Sequence, residues 1–380
     1  MVRRDPRVRL NVPLLGEAEL EAVGSVLATG FLTQGPRAQE FEALVAQLVG
    51  TDHAYATSSA TTGIHLALHA CGVQPGDEVV IPDYSFPATA NAVIQQGAVP
   101  VFVDIDPATF NMDPTKLEAA ITGRTAAIMP VHAFGLPADM NEINAVAAAH
   151  GLPVIEDAAC ALAATYRGVA AGALGTAGVF SFHPRKIITT GEGGMITTSD
   201  AGVADRIAVL RTHGAVRGDT YMSFVDAGYN YRLSDINAAI GIAQMERLDH
   251  ILERRRSLAA AYDDRLAEVD GLTTPAVPDD RTHTFQSYVL MLDEAFDRDA
   301  VIHALKARDV ETTLGTYSMH LQPYFRDRFA IADEALPSST RAHRQALTVP
   351  LYPQMTESDV DSVVDALRST LAESRSVRAG

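Results

Sequence analysis

Only two cysteines, Cys71 and Cys160, stand among the 380 residues. That is too few for a disulfide framework or for a zinc site built from several thiolates, so a reducing cytoplasm suits the chain and no metal-ligand set is expected. Positive charge is scarce as well: 30 Lys and Arg face 47 Asp and Glu, a net charge of −17. A surface so acidic repels phosphate backbones and anionic lipid headgroups, which argues against nucleic-acid and membrane partners. No apolar stretch has the length needed to span a bilayer. The opening "MVRRDPRVRLNVPLLGEAEL" is basic but meets Asn11, Pro13, Gly16 and Glu17 before any sustained apolar run, so no signal peptide is read there. Internal repeats are absent, and only the closing "ESRSVRAG" is expected to fray.

What is present is an ordinary globular composition, 47% hydrophobic and 20% charged, able to bury a core. The length exceeds what one core usually serves, so two lobes are expected. From about residue 50, short apolar runs alternate with amphipathic segments. "EVVIPD", "VPVFVDID", "TAAIMPVH", "PVIEDAA" and "AGVFSFH" read as strands, while "TTGIHLALHACG", "ATANAVIQQG" and "DMNEINAVAAAHG" read as helices. Apolar strands alternating with helices predict an α/β fold with a mostly parallel sheet covered on both faces. Ligands of such sheets collect at the carboxyl ends of the strands, which directs attention to 83–86, 157–160 and 181–186. After about residue 235, "SDINAAIGIAQMERLDHILERRRSLAAAYDDRLAEV" predicts one long helix leading into a smaller α+β lobe. The division expected is a large domain at 10–245 and a small one at 246–380.

Lys186 stands in "SFHPRKIITTGEGG", between a strand end and a glycine-rich turn, with His183 and Arg185 nearby. A lysine that forms a Schiff base must lose its proton near neutral pH, which burial or a neighbouring cation promotes; a solvated loop lysine is the alternative. Asp157, after the apolar Val154 and Ile155, reads as a carboxylate at the end of a buried strand. Such a group needs a partner, either a protonated ring nitrogen or a structural salt bridge or helix cap. "SSATTG" at 58–63 places Ser59, Ala60 and Thr61 at a helix start, where backbone N–H groups and hydroxyls either hold a phosphate or simply cap the helix. Phe86 can stack on a flat ring or fill a core.

Taken in order, "SSATTGIHLAL", "GDEVVIPDYSFPATANAV", "VIEDAACALAA", "GVFSFHPRKIITTGEGGMITT", "GYNYRLSDINAAIG" and "LTVPLYPQMTESDVDSVV" resemble the motifs of the pyridoxal-phosphate-dependent nucleotide-sugar aminotransferases, the DegT/StrS-type group within the aspartate-aminotransferase fold (fold type I). The likeness runs from about Pro13 to Leu371. It implies that Lys186 bears the cofactor as an internal aldimine and that Asp157 pairs with the pyridinium nitrogen. It further implies that Ser59, Ala60, Thr61 and Ser181 hold the phosphate, that Phe86 stacks on the ring, and that Cys160 faces the ring near its phenolic oxygen. Asn230 is implied to reach the phosphate from a neighbouring subunit, making a homodimer with composite sites. His183, His320 and Tyr317 fall at positions on the sugar side. Two departures stand out: Cys160 replaces the usual Gln or His, and Ser59-Ala60-Thr61 replaces Ser-Gly-Thr.

The activity implied is transfer of an amino group from L-glutamate, by way of pyridoxamine phosphate, to a keto-sugar, with a nucleotide-linked 4-keto-6-deoxy or 3-keto hexose as the expected substrate. Cell-wall polysaccharide and antibiotic-sugar assembly would both use such an enzyme. The competing readings are a cyclitol-ketone aminotransferase, a sugar dehydratase, which has histidine at the lysine position, and a non-catalytic cofactor-binding regulator.

Overall fold

The computed structural model describes residues 7–379; residues 1–6 and Gly380, parts of the stretches read above as leader-free and as a fraying tail, lie outside the described residues. Seven strands form the principal sheet: β1 His53–Thr57, β2 Glu78–Pro82, β3 Val99–Val103, β4 Thr125–Ile128, β5 Ile155–Asp157, β6 Ala177–Ser181 and β7 Gly194–Thr198. β3, β2 and β4 pair in parallel, as do β5 and β6. Parallel bridges from Ile128 to Val154 and from Val131 to Asp157 join the two groups. β7 lies antiparallel between β6 and β1, so the order is β3-β2-β4-β5-β6-β7-β1 with β7 alone reversed. The expectation of a mostly parallel sheet holds.

Both faces of this sheet are buried, and the strand alternation sorts residues between them. Val79, Ile81, Val179 and Ile196 pack with α3 (Ala60–Ala70), α4 (Ala88–Gln95) and α6 (Ala201–Leu210) on one side. On the other side Phe180 and Met195 meet α2 (Pro36–Val49), while Val80 meets α5 (Met140–His150). α1 (Glu17–Thr29) packs against α7 (Asp235–Met245), and Asp235, buried at the start of α7, accepts the N–H groups of Gly35, Arg37 and Ala38. That carboxylate caps α2 from another element, and the helix dipole adds to its hold.

The long helix read from the sequence is two. α7 stops at Met245 and α8 (Leu248–Leu266) begins after Arg247, whose φ of −105° and ψ of 1° leave the helical region. No glycine or proline marks the break. It is made by packing: Gln244 is tied to the Leu14 carbonyl and Glu19, while Leu248 and Ile251 turn into the core beneath the sheet.

The C-terminal part carries a second sheet of β8 Leu272–Thr273, β9 Tyr288–Leu292, β10 Thr313–Leu314 and β11 Ala346–Val349, in the order β8-β9-β11-β10 with every pair antiparallel. Leu258 and Tyr262 of α8, α9 (Arg298–Ala307) and α11 (Glu357–Ala379), which follows α10 (Pro337–Gln345), cover it. Val8 joins this core and bridges to Val310, which lies just before β10.

Candidate active site

Because β1, β2, β5 and β6 run the same way, their carboxyl ends open on one edge of the sheet. Ser59 follows β1, Ser85 and Phe86 follow β2, Asp157 closes β5 and Ser181 closes β6. They border one cavity of about 690 Å³, together with Ala60, Thr61, Cys160, His183 and Lys186.

α3 supplies an anion cradle at this edge. The Ser59 hydroxyl accepts the Thr62 N–H at 3.2 Å, and the Ser59 carbonyl accepts that of Gly63 at 3.0 Å. Of the four N–H groups that a helix start leaves without intrahelical partners, those of Ala60 and Thr61 are thereby unclaimed among the described residues. They border the cavity, where the positive end of the helix dipole favours an anion. One glycine of the turn that follows Lys186 bears on this cradle. A Cβ on Gly194, the first residue of β7, would lie 2.5 Å from the Ser59 carbonyl carbon and 2.6 Å from the Ala60 nitrogen. Only a glycine lets β7 pass beneath the cradle without displacing it.

Asp157 is 5% exposed. Its Oδ2 accepts the Thr89 hydroxyl at 2.7 Å, with Ser85 Oγ 2.7 Å from the same hydroxyl, and its Oδ1 accepts the Ala159 N–H at 3.2 Å. Among the described residues no Lys, Arg or His pairs with it. A buried carboxylate held by neutral donors and bordering a cavity lacks only a cation from the cavity side, which a protonated ring nitrogen provides.

Lys186 Nζ lies 3.0 Å from Cys160 Sγ, and its backbone N–H closes a turn onto the His183 carbonyl at 2.8 Å. The sequence holds three lysines. The other two, Lys116 and Lys306, are exposed and lie off the cavity lining. His183 is half-buried, and burial lowers its pKa below the ordinary value, with Glu192 opposing and Lys186 and Arg185 reinforcing the shift. Its Nδ1 accepts the Arg185 N–H at 3.2 Å, so the ring proton sits on Nε2. Phe86, 66% exposed, stands at the cavity rim.

Three of the residues read from the sequence lie elsewhere. His320 is fully buried, its Nδ1 2.7 Å from Asp83 Oδ2 and its Nε2 3.2 Å from Thr340 Oγ1. With Ser339 also donating to Asp83, this is a closed structural network, sealed from the cavity. Tyr317 pairs with Ser85 through the backbone and lies outside the lining, as does the exposed Asn230, whose Oδ1 accepts from Arg232 at 3.1 Å. Thr89 was missed by sequence reading. Its signal was a hydroxyl in the small, largely apolar helix of "SFPATANAV", but nothing local ties it to a carboxylate 68 positions on.

These parts suit one kind of group: an anion cradle, a carboxylate wanting a cation and a single lysine. Comparison with known proteins gives it a name. Residues 13–368 match the DegT/DnrJ/EryC1/StrS aminotransferase family. The chain is 41% identical to the spore coat polysaccharide biosynthesis protein SpsC of Bacillus subtilis (strain 168), over 96% of this chain and 97% of that protein. The crystal structure of the aminotransferase TlmJ from Streptoalloteichus hindustanus superposes with a TM-score of 0.90 at 37% identity, covering 96% of this chain and 99% of that one. DesI, solved in the presence of its TDP-sugar product, gives a TM-score of 0.90 at 34% identity, covering 99% and 95%. The chain therefore belongs to the DegT/DnrJ/EryC1/StrS aminotransferase family, the pyridoxal-phosphate-dependent sugar aminotransferases of fold type I.

Proposed function

We propose that this enzyme moves the amino group of L-glutamate to the ketone of a nucleotide-linked hexose, a 4-keto-6-deoxy or 3-keto sugar, and that it works in the cytoplasm as a homodimer with composite sites. The observation that carries the reading is the convergence on one cavity of the Lys186 amine, the cation-free Asp157 carboxylate and the unclaimed N–H groups of Ala60 and Thr61. The cavity also reaches Asn11, Arg185 and Gln286, leaving room beyond an amino acid. DesI, whose product is a TDP-sugar, supports the nucleotide-linked class. Among the described residues no helix is long and apolar enough to cross a membrane, and both cysteines are free, in keeping with the compartment proposed.

Pyridoxal phosphate, when bound, supplies an electron sink for the bond broken at the donor's Cα. The Ala60 and Thr61 N–H groups, with the Ser59 and Ser181 hydroxyls, would hold its phosphate. Asp157 would pair with the protonated ring nitrogen, and Thr89 and the Ala159 N–H orient that carboxylate. Lys186, the one lysine bordering the cavity, would move the proton during the transfer, acting as general base and then general acid. Phe86 would stack on the ring, Cys160 lies beside Nζ, His183 would face the sugar, and Asn230 of a second copy would complete the phosphate site.

The test is turnover with L-glutamate and a panel of nucleotide-linked keto-hexoses, reading 2-oxoglutarate release and the amino-sugar by mass spectrometry. Amination of one or more of these sugars is expected. Turnover confined to a cyclitol ketone would overturn the substrate class, and turnover of sugars with another amino acid but not glutamate would overturn the donor.

A further inference from the structure

Arg255, in the middle of α8, is 1% exposed, and among the described residues no carboxylate pairs with it. Its Nη1 donates to the carbonyls of Phe285, Gln286 and Leu351 at 3.0, 3.2 and 3.1 Å, and its Nη2 donates to Asn11 Oδ1 at 3.0 Å. Its Nε finds no acceptor. Burial lowers its pKa to about 10, so the guanidinium stays charged at neutral pH. A buried charge without a counter-ion is costly, and a neutral side chain could pin one carbonyl at less cost. What a guanidinium adds is a rigid fork that holds several acceptors at once.

Two of those acceptors lead to the lysine. Asn11 Nδ2 donates to the Pro184 carbonyl at 3.0 Å, and Gln286 Nε2 donates to the Arg185 carbonyl at 2.8 Å. Pro184 and Arg185 immediately precede Lys186, in a stretch that belongs to neither helix nor strand. Their carbonyls have no ladder partner and rest on two side chains, that of Asn11, which Arg255 holds directly, and that of Gln286, whose backbone carbonyl Arg255 holds. We propose that Arg255 is a positioning residue for Lys186, fixing the backbone of the 184–186 segment through Asn11 on one side and Gln286 on the other. The functional meaning rests on Lys186 being the cofactor-bearing lysine. A proton-transferring amine loses rate steeply when its anchor shifts, so the fork serves the reaction without touching substrate. It also ties that anchor to the second sheet, because Gln286 and Leu351 flank β9 and β11.

The test compares wild-type protein with Asn11→Ala, Gln286→Ala, their double variant, and Arg255→Lys, each with and without pyridoxal phosphate. Arg254→Lys is the control, since Arg254 sits beside Arg255 on α8 but donates to the Pro353 and Met355 carbonyls. Hydrogen exchange of a peptide spanning 183–188 is expected to quicken about five- to tenfold with each link cut. The double variant should resemble Arg255→Lys, and the control should leave this peptide unchanged. In the loaded protein, the pH at which the visible band of the lysine-bound cofactor changes should shift in the same variants and not in the control. Unchanged exchange in Asn11→Ala and Gln286→Ala, or an equal effect of Arg254→Lys, overturns the proposal. If wild-type protein shows no band, the cofactor role of Lys186 fails, while the exchange measurements still decide the linkage.

Discussion

Asp157 depends on a hydroxyl that nothing in its own segment announces. Thr89 Oγ1, itself 2.7 Å from Ser85 Oγ, donates to the buried carboxylate, and losing one such donor to a charged acceptor costs about 1.5–3 kcal/mol. Thr89→Val should therefore weaken pyridoxal phosphate binding by roughly tenfold or more, while Thr89→Ser keeps the donor and stays near wild type. An absorbance titration of the bound cofactor reads this, and equal affinities for all three proteins would contradict the role. At this scale, strand-end position was enough to place Asp157, Ser181 and Lys186 beside the cavity. It was not enough for Thr89, Arg255 or His320, whose partners lie far away in the chain. A histidine in a loop carries no mark that it will be sealed against Asp83.

Elements decide where the residues meet. The reversed strand β7 begins directly under the first turn of α3, so Gly194 is a contact between elements rather than a flexible point. Gly194→Ala should push the Ser59–Ala60 backbone out of place and weaken cofactor retention severely, since the added methyl meets backbone that cannot swing aside. Retention on a desalting column followed by the absorbance of the eluate measures it; full retention would show that the cradle tolerates the shift. The alternating strands and helices were legible because strands buried on both faces are continuous apolar runs. The break between α7 and α8 was not, because local propensity continues through Glu246 and Arg247 and packing alone interrupts it.

For the whole molecule, the position of Asn230 outside its own chain's cavity gives the proposed composite site a sharp consequence. Lys186→Ala and Asn230→Ala chains, each poorly active alone, are expected to recover about one quarter of wild-type activity when re-assorted in equal amounts. Half of the random dimers pair the two variants, and each such dimer holds one intact site. No recovery in re-assorted mixtures would place Asn230 outside the neighbouring site.

The most direct measurement uses the scarcity of lysine in this chain. Protein loaded with pyridoxal phosphate is reduced with borohydride, digested and mapped by mass spectrometry. The phosphopyridoxyl group is expected on Lys186 alone among Lys116, Lys186 and Lys306, and prior addition of L-glutamate should diminish it by converting the cofactor to its amine form. Labelling of Lys116 or Lys306 in place of Lys186, or no label at all, would contradict the assignment of Lys186 as the residue that carries the cofactor.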